Sequence, residues 1–68
     1  MPDKAAQATQ DARKAYVEAQ AAKHAVGPRA FQASIAAEES YLYYVGAMAR
    51  VTGQDFLHCR RVVEWGVA

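Results

Sequence analysis

The sequence contains few of the features that define specialised classes of small protein. Only one of its 68 residues, Cys59, is a cysteine, so no intrachain disulfide can form and the usual stabiliser of small secreted domains is missing. We therefore expect a reducing, cytoplasmic environment. No apolar run is long enough to cross a bilayer, and residues 1–4 lack the apolar segment of a secretory signal. These absences predict a soluble chain without membrane contact.

Large apolar side chains and an excess of one charge are also scarce. The apolar fraction is 53%, but alanine dominates it, beside one Ile, two Leu and two Phe, so we expect a thin core. The formal net charge is +1 with acidic and basic residues interspersed, and charge therefore points neither to nucleic acid nor to an anionic surface. So short a chain with so thin a core favours a dimer or a bound partner over an isolated monomer.

Residue patterns that support catalysis or bind metals are missing as well. The sequence has no glycine-rich phosphate loop, no Ser-His-acid set and no HExxH motif. His58 and Cys59 are neighbours that would diverge by about 100° on a helix, and His24 is too distant to complete a zinc spacing. Glu38 and Glu39 would lie on different helix faces rather than across a cleft. We therefore expect no enzyme activity, no catalytic residue, no metal and no cofactor.

Strong helix formers, by contrast, fill most of the chain. Gly27 and Pro28 suit the end of one long helix and the start of another, and Gly53 predicts a second stop. Asp55 or Thr52 can cap the helix that follows. The predicted fold is a single all-α domain over residues 1–68, in which the short first connection makes an antiparallel helical hairpin. Its three helices are predicted at residues 3–26, 29–51 and 55–65.

Alanine recurs in the first two helices in steps of three and four residues. In the first helix this seam holds Ala5, Ala8, Ala12, Ala15, Ala19, Ala22 and Val26. In the second helix it holds Ala30, Ala33, Ala37, Ser40, Tyr44, Ala47 and Val51. The shared period and small side chains predict that the two seams face each other closely. The alternative is that alanine is merely abundant and its spacing is chance, which leaves the fold class unchanged.

The second helix carries another apolar stripe, on a different side from its alanine seam, which includes Phe31 and Ile35. One hairpin cannot bury both stripes, and the short third helix covers only the C-terminal half. We expect the uncovered part to be an interface, either with a protein partner or in a homodimer that forms a helical bundle. Exposed Tyr and Trp are further candidate contacts. The predicted interface residues are Phe31, Ile35, Tyr41, Leu42, Tyr43, Val45, Met48 and Trp65.

From Met48 to Val62 the chain resembles a helix-turn-helix DNA-binding motif. The resemblance rests on a glycine in the turn and on residues four before it and six and nine after it, namely Gly53, Ala49, Cys59 and Val62. It implies that residues 55–64 form a recognition helix, with Arg60 and Arg61 toward bases or phosphates.

The sequence favours a small cytoplasmic protein-binding module over this alternative. We expect an adaptor, co-chaperone or inhibitor, of the kind found in phages, plasmids or secretion systems, that presents helix faces to a protein partner. A DNA-binding regulator that uses residues 48–62 is the second hypothesis. The two arginines also have local partners, because Arg60 can pair with Glu64 and Arg61 can lie over Trp65, each one turn away.

Overall fold

The computed structural model describes residues 3–66, which form three α-helices joined by two short connections. Helix α1 spans Lys4–Lys23, α2 spans Ala30–Thr52 and α3 spans Phe56–Trp65. Helices α1 and α2 pack closely as a hairpin, and α3 contacts both of them. The predicted all-helical hairpin with a short third helix is thus confirmed. No helix in this part of the chain combines the length and apolarity needed to span a membrane.

Side-chain caps and a glycine explain several of the helix boundaries. The carboxylate of Asp3 accepts a hydrogen bond from the N–H of Ala5 at 3.0 Å at the start of α1. Asp55 plays the same part for α3, where its carboxylate accepts from the N–H of Leu57 at 3.1 Å. Gly53 follows α2 in the left-handed region, with φ at 71°, which an L side chain would adopt only with strain. The predicted glycine stop and the Asp55 cap are confirmed.

The connection between α1 and α2 is longer than the sequence predicts. Helix α1 ends at Lys23, so Val26, which was expected on the alanine seam, lies in the connection and is 95% exposed. After Lys23 the backbone bonds change to a spacing of three residues, since the N–H groups of His24 and Ala25 donate to the carbonyls of Ala21 and Ala22 at 3.1 and 3.2 Å. The expected last turn of α1 therefore unwinds. Gly27, at φ 123°, accepts a hydrogen bond from the N–H of Ala30 at 3.1 Å and leads the chain into α2.

The core between the helices is thin and uses small side chains on α1. Within residues 3–66 the buried apolar residues are Ala12, Ala15, Ala19, Tyr41, Val45, Met48, Cys59 and Val63. The α1 members are the middle of the predicted alanine seam, which confirms that this face packs inward. The half-buried ring of Tyr16 lies against Tyr41, with the ring centroids 5.4 Å apart. Large side chains of α2 therefore fill the space that the alanines of α1 leave.

The buried stripe of α2 differs from the alanine seam that the sequence predicts. Four seam positions are exposed, namely Ala33, Ser40, Tyr44 and Val51. The buried positions are Tyr41, Val45 and Met48, so α2 is rotated about its axis by somewhat less than the roughly 100° of one residue. Apolar area favours this orientation, because it buries Met48 beside a tyrosine and a valine, whereas the predicted seam would bury Ser40 and Ala47 beside a tyrosine and a valine.

Candidate protein-binding surface

The rotation of α2 removes three residues from the predicted interface. Tyr41, Val45 and Met48 are 1%, 0% and 2% exposed within the single chain. Their placement on the surface was therefore wrong, because they belong to the core that α1, α2 and α3 share. The remaining predicted interface residues all lie at the surface.

Three of these surface residues lie on one side of α2, and we call them the α2 stripe: Phe31, Ile35 and Leu42. They are separated by four and seven residues and therefore share one side of the helix. Phe31 is 75% exposed, Ile35 44% and Leu42 36%. Helix α3 reaches α2 at the level of Tyr41, where Glu64 contacts it, and ends at the next residue. The half of α2 nearer the first connection is left uncovered, as predicted for Phe31 and Ile35.

Two carboxylates border the α2 stripe. Along the helix both lie between Ile35 and Leu42, with Glu38 toward one edge of this side of α2 and Glu39 toward the other. They are the only charged residues between Arg29 and Arg50 in the sequence. Within residues 3–66 the one ion pair joins two residues of α3, so neither carboxylate has a basic partner there. The α2 stripe is thus an apolar face with an acidic residue on each edge.

Tyr43 lies beside a groove between α1 and α2. Its side chain is 65% exposed, and its ring meets the ring of Tyr44 edge-on at 5.5 Å between centroids. The groove encloses about 310 Å³ and is lined in part by Ala8 and Ala47. Ala47, which belongs to the alanine seam predicted for α2, therefore lines this open groove and does not pack between the two helices.

The outer face of α3 carries Trp65, which is 71% exposed. It borders a shallow hollow of about 170 Å³ with Leu57, Arg60 and Arg61. The Nε of Arg60 donates to Oε2 of Glu64 at 3.1 Å, which confirms the predicted local pair. Arg61 is exposed. The two arginines therefore differ, since one is held by a carboxylate and the other lies at the surface.

A polar contact between α2 and α3 was not predicted from the sequence. The hydroxyl of Tyr41 donates to Oε2 of Glu64 at 2.5 Å, across 23 positions of the chain. Burial, and next the hydrogen bond to Glu64, raise the pKa of the Tyr41 phenol well above its usual value. Burial by itself would raise the pKa of Glu64, but hydrogen bonds from Tyr41 and Arg60 outweigh it and lower that pKa. The spacing of Arg60 and Glu64 was visible in the sequence, whereas their tyrosine partner was not.

Comparison with known proteins does not place the chain in a family. No family model matches it, and no curated protein or solved structure is significantly similar to it. Among residues 3–66, no group of three or more His, Cys, Asp or Glu side chains is arranged to hold a metal ion. The protein is therefore described by its structure alone. It is an all-α hairpin with a short third helix and an exposed apolar stripe.

Proposed function

We propose that this chain is a small protein-binding module that acts through the α2 stripe. The observation behind the proposal is the exposure of Phe31, Ile35 and Leu42 on one face of a well-formed helix. Exposed apolar patches on small proteins commonly mark surfaces that another macromolecule covers. An adaptor, a co-chaperone or an inhibitor would each need only such a face on a stable support. A reducing, cytoplasmic setting suits the single free cysteine, Cys59, which is buried.

Either a partner protein or a second copy of the chain can cover the α2 stripe. Homodimerisation through α2 would form a helical bundle in which the two stripes bury each other. A partner helix would use the same surface in a helix-against-helix contact. Both arrangements supplement the thin core of the single chain by burying further apolar area.

Affinity capture from the source cell tests this proposal. We expect wild-type protein to retain a specific partner and the Phe31→Ser, Ile35→Ser double variant to lose most of it. Both side chains lie at the surface, with Phe31 75% and Ile35 44% exposed, so circular dichroism should show an unchanged fold. The matched control is Val17→Ser with Leu57→Ser, which alters side chains that are 66% and 61% exposed on α1 and α3. Equal retention by wild type and the α2 variant would show that the α2 stripe is not the binding surface.

DNA binding through α3 is the alternative, and the arrangement of two helices within residues 48–62 supports it. Helix α2 ends at Thr52 and α3 begins at Phe56, with a short turn between them. Against it, Arg60 is already paired with Glu64, which leaves less positive charge for phosphates. We expect no duplex to be retained at physiological salt. Salt-sensitive duplex binding that disappears on Arg60→Ala with Arg61→Ala would establish the alternative instead.

A further inference from the structure

The charged residues beside the α2 stripe indicate what kind of molecule can bind there. From Phe31 to Leu42 it extends for about 16 Å, or three turns of helix. Glu38 and Glu39 lie near its middle, one on each edge. The whole chain has a formal net charge of +1, so this acidic character is local to the central part of α2. An apolar strip with two acidic edges is complementary to an apolar strip with basic edges.

We propose that the α2 stripe binds an amphipathic helix whose apolar residues are flanked by Lys or Arg. This inference rests on the proposed protein-binding function and specifies the class of partner. Apolar residues of the partner contact Phe31, Ile35 and Leu42, while its basic residues pair with Glu38 and Glu39 at the edges. In the described part of the chain these carboxylates have no basic partner, so docking breaks no existing ion pair.

The same two carboxylates disfavour a second copy of the chain as the occupant. In an antiparallel dimer that overlays the two stripes, the two-fold axis crosses α2 midway between Phe31 and Leu42, close to Glu38 and Glu39. The four carboxylates then lie within about 8 Å along the helix axis. In a parallel dimer, each glutamate faces its own copy at the same height. Both arrangements bring like charges together, whereas a basic helix brings opposite charges together.

Two synthetic helical peptides of about 18 residues test the charge preference. They share the same leucine positions, and the flanking residues are lysine in one and glutamate in the other. By calorimetric titration of the full chain, we expect the lysine peptide to bind 1:1 and the glutamate peptide about tenfold more weakly. The difference should shrink as salt is raised. Glu38→Lys with Glu39→Lys should reverse the preference, and Phe31→Ser with Ile35→Ser should weaken both peptides strongly.

The matched control is Asp11→Lys with Glu18→Lys, which makes the same change in net charge on α1. We expect it to bind the lysine peptide as wild type does. If it weakens binding as much as the reversal on α2, net charge governs binding and the proposal is wrong. Equal binding of the two peptides by wild type also overturns it. A wild-type dimer that neither peptide dissociates would identify a second copy as the occupant.

Partner capture by two variants separates an error in the partner's charge from an error in the binding surface. If Phe31→Ser with Ile35→Ser abolishes partner capture but Glu38→Lys with Glu39→Lys does not affect it, the protein-binding function stands and the basic-helix partner is wrong. If the double serine variant still captures the same partner, the function assigned to the α2 stripe is itself wrong. Thermal melts of each variant confirm that the fold is retained before binding is compared.

Discussion

At the scale of the residue, Tyr41 connects all three helices through one side chain. It belongs to α2, its ring lies 5.4 Å from that of Tyr16 on α1, and its hydroxyl donates to Glu64 on α3. The residue is 1% exposed, so the hydroxyl depends on this carboxylate for its hydrogen bond. We therefore attribute the attachment of α3 to the hairpin in part to this contact.

Removing the hydroxyl of Tyr41 measures how much its hydrogen bond to Glu64 contributes to the free energy of unfolding. Tyr41→Phe keeps the ring against Tyr16 and removes the hydrogen bond to Glu64. We expect the free energy of unfolding to fall by about 1–2 kcal/mol, because the partly exposed carboxylate can regain a water in exchange. Urea denaturation measures the loss. Tyr43→Phe is the control, since that side chain is 65% exposed, and an equal loss in both variants would exclude a special role for the contact.

The carboxyl group of Glu64 should make stability depend on pH. Its pKa in the folded chain lies below the ordinary value of 4.5, so its contribution is fully present above that value and is lost as pH falls through the lower folded value. We expect the free energy of unfolding to fall as pH drops from about 5 to about 3, and Glu64→Gln to reduce this dependence. Urea titrations across that range measure it. A variant as acid-sensitive as wild type would contradict the assignment.

At the scale of the element, α1 works as a flat alanine surface against larger side chains of α2. Ala12, Ala15 and Ala19 are 0%, 4% and 3% exposed, and they lie in the same cluster as Tyr41 and Val45. Because alanine adds little bulk, it leaves room for the larger α2 side chains between the two helices. The fit of the hairpin therefore depends on keeping the α1 side chains small.

Enlarging one of these alanines tests this fit. Ala19→Leu adds apolar surface and keeps good helix propensity, yet it places extra atoms where α1 and α2 are packed. We expect it to destabilise the chain by about 1–3 kcal/mol, seen as a lower midpoint in thermal melts. Ala21→Leu is the matched control, because Ala21 is exposed on the same helix. Melting of Ala19→Leu at or above the wild-type midpoint would show that this face tolerates larger side chains.

At the scale of the whole molecule, the hairpin is more extended than a compact chain of its length. The radius of gyration is 12.7 Å, compared with about 11 Å expected for a globular chain of this size. Helix α3 has 10 residues beside the 23 of α2, so it covers only part of the hairpin. The uncovered part includes Phe31 and Ile35, and the shape of the molecule thus exposes the α2 stripe.

Self-association of the isolated chain should be limited by charge. The α2 stripe favours a dimer, but two copies of Glu38 and Glu39 would repel each other across it. We expect Glu38→Gln with Glu39→Gln to strengthen dimerisation about tenfold, as measured by light scattering after size exclusion. Adding Phe31→Ser and Ile35→Ser should return the chain to a monomer. If neutralising the carboxylates leaves the monomer-dimer equilibrium unchanged, the dimer contact does not lie on the α2 stripe.

Part of the candidate surface could be predicted from the sequence, because it depends on helical spacing. Phe31, Ile35 and Leu42 share one face of any helix that contains them, and a third helix of about ten residues is too short to cover that face. Tyr41, Val45 and Met48 were misplaced on this surface because their burial depends on how α2 is turned toward its neighbours. Hydrophobic periodicity defines a stripe only to within about one residue of rotation, and α2 has apolar residues on more than one side.

The sequence by itself determined the three helices, the hairpin, the Asp55 cap and the glycine stop after α2, since helix propensity, capping side chains and glycine act over a few neighbouring positions. Only the tertiary structure decided the rotation of α2, the early end of α1 and the contact between Tyr41 and Glu64. The physical reason is that these features depend on contacts between distant parts of the chain, where the largest apolar side chains compete for a small core. Among mostly alanine positions, that competition favoured Tyr41, Val45 and Met48 and left the α2 stripe exposed.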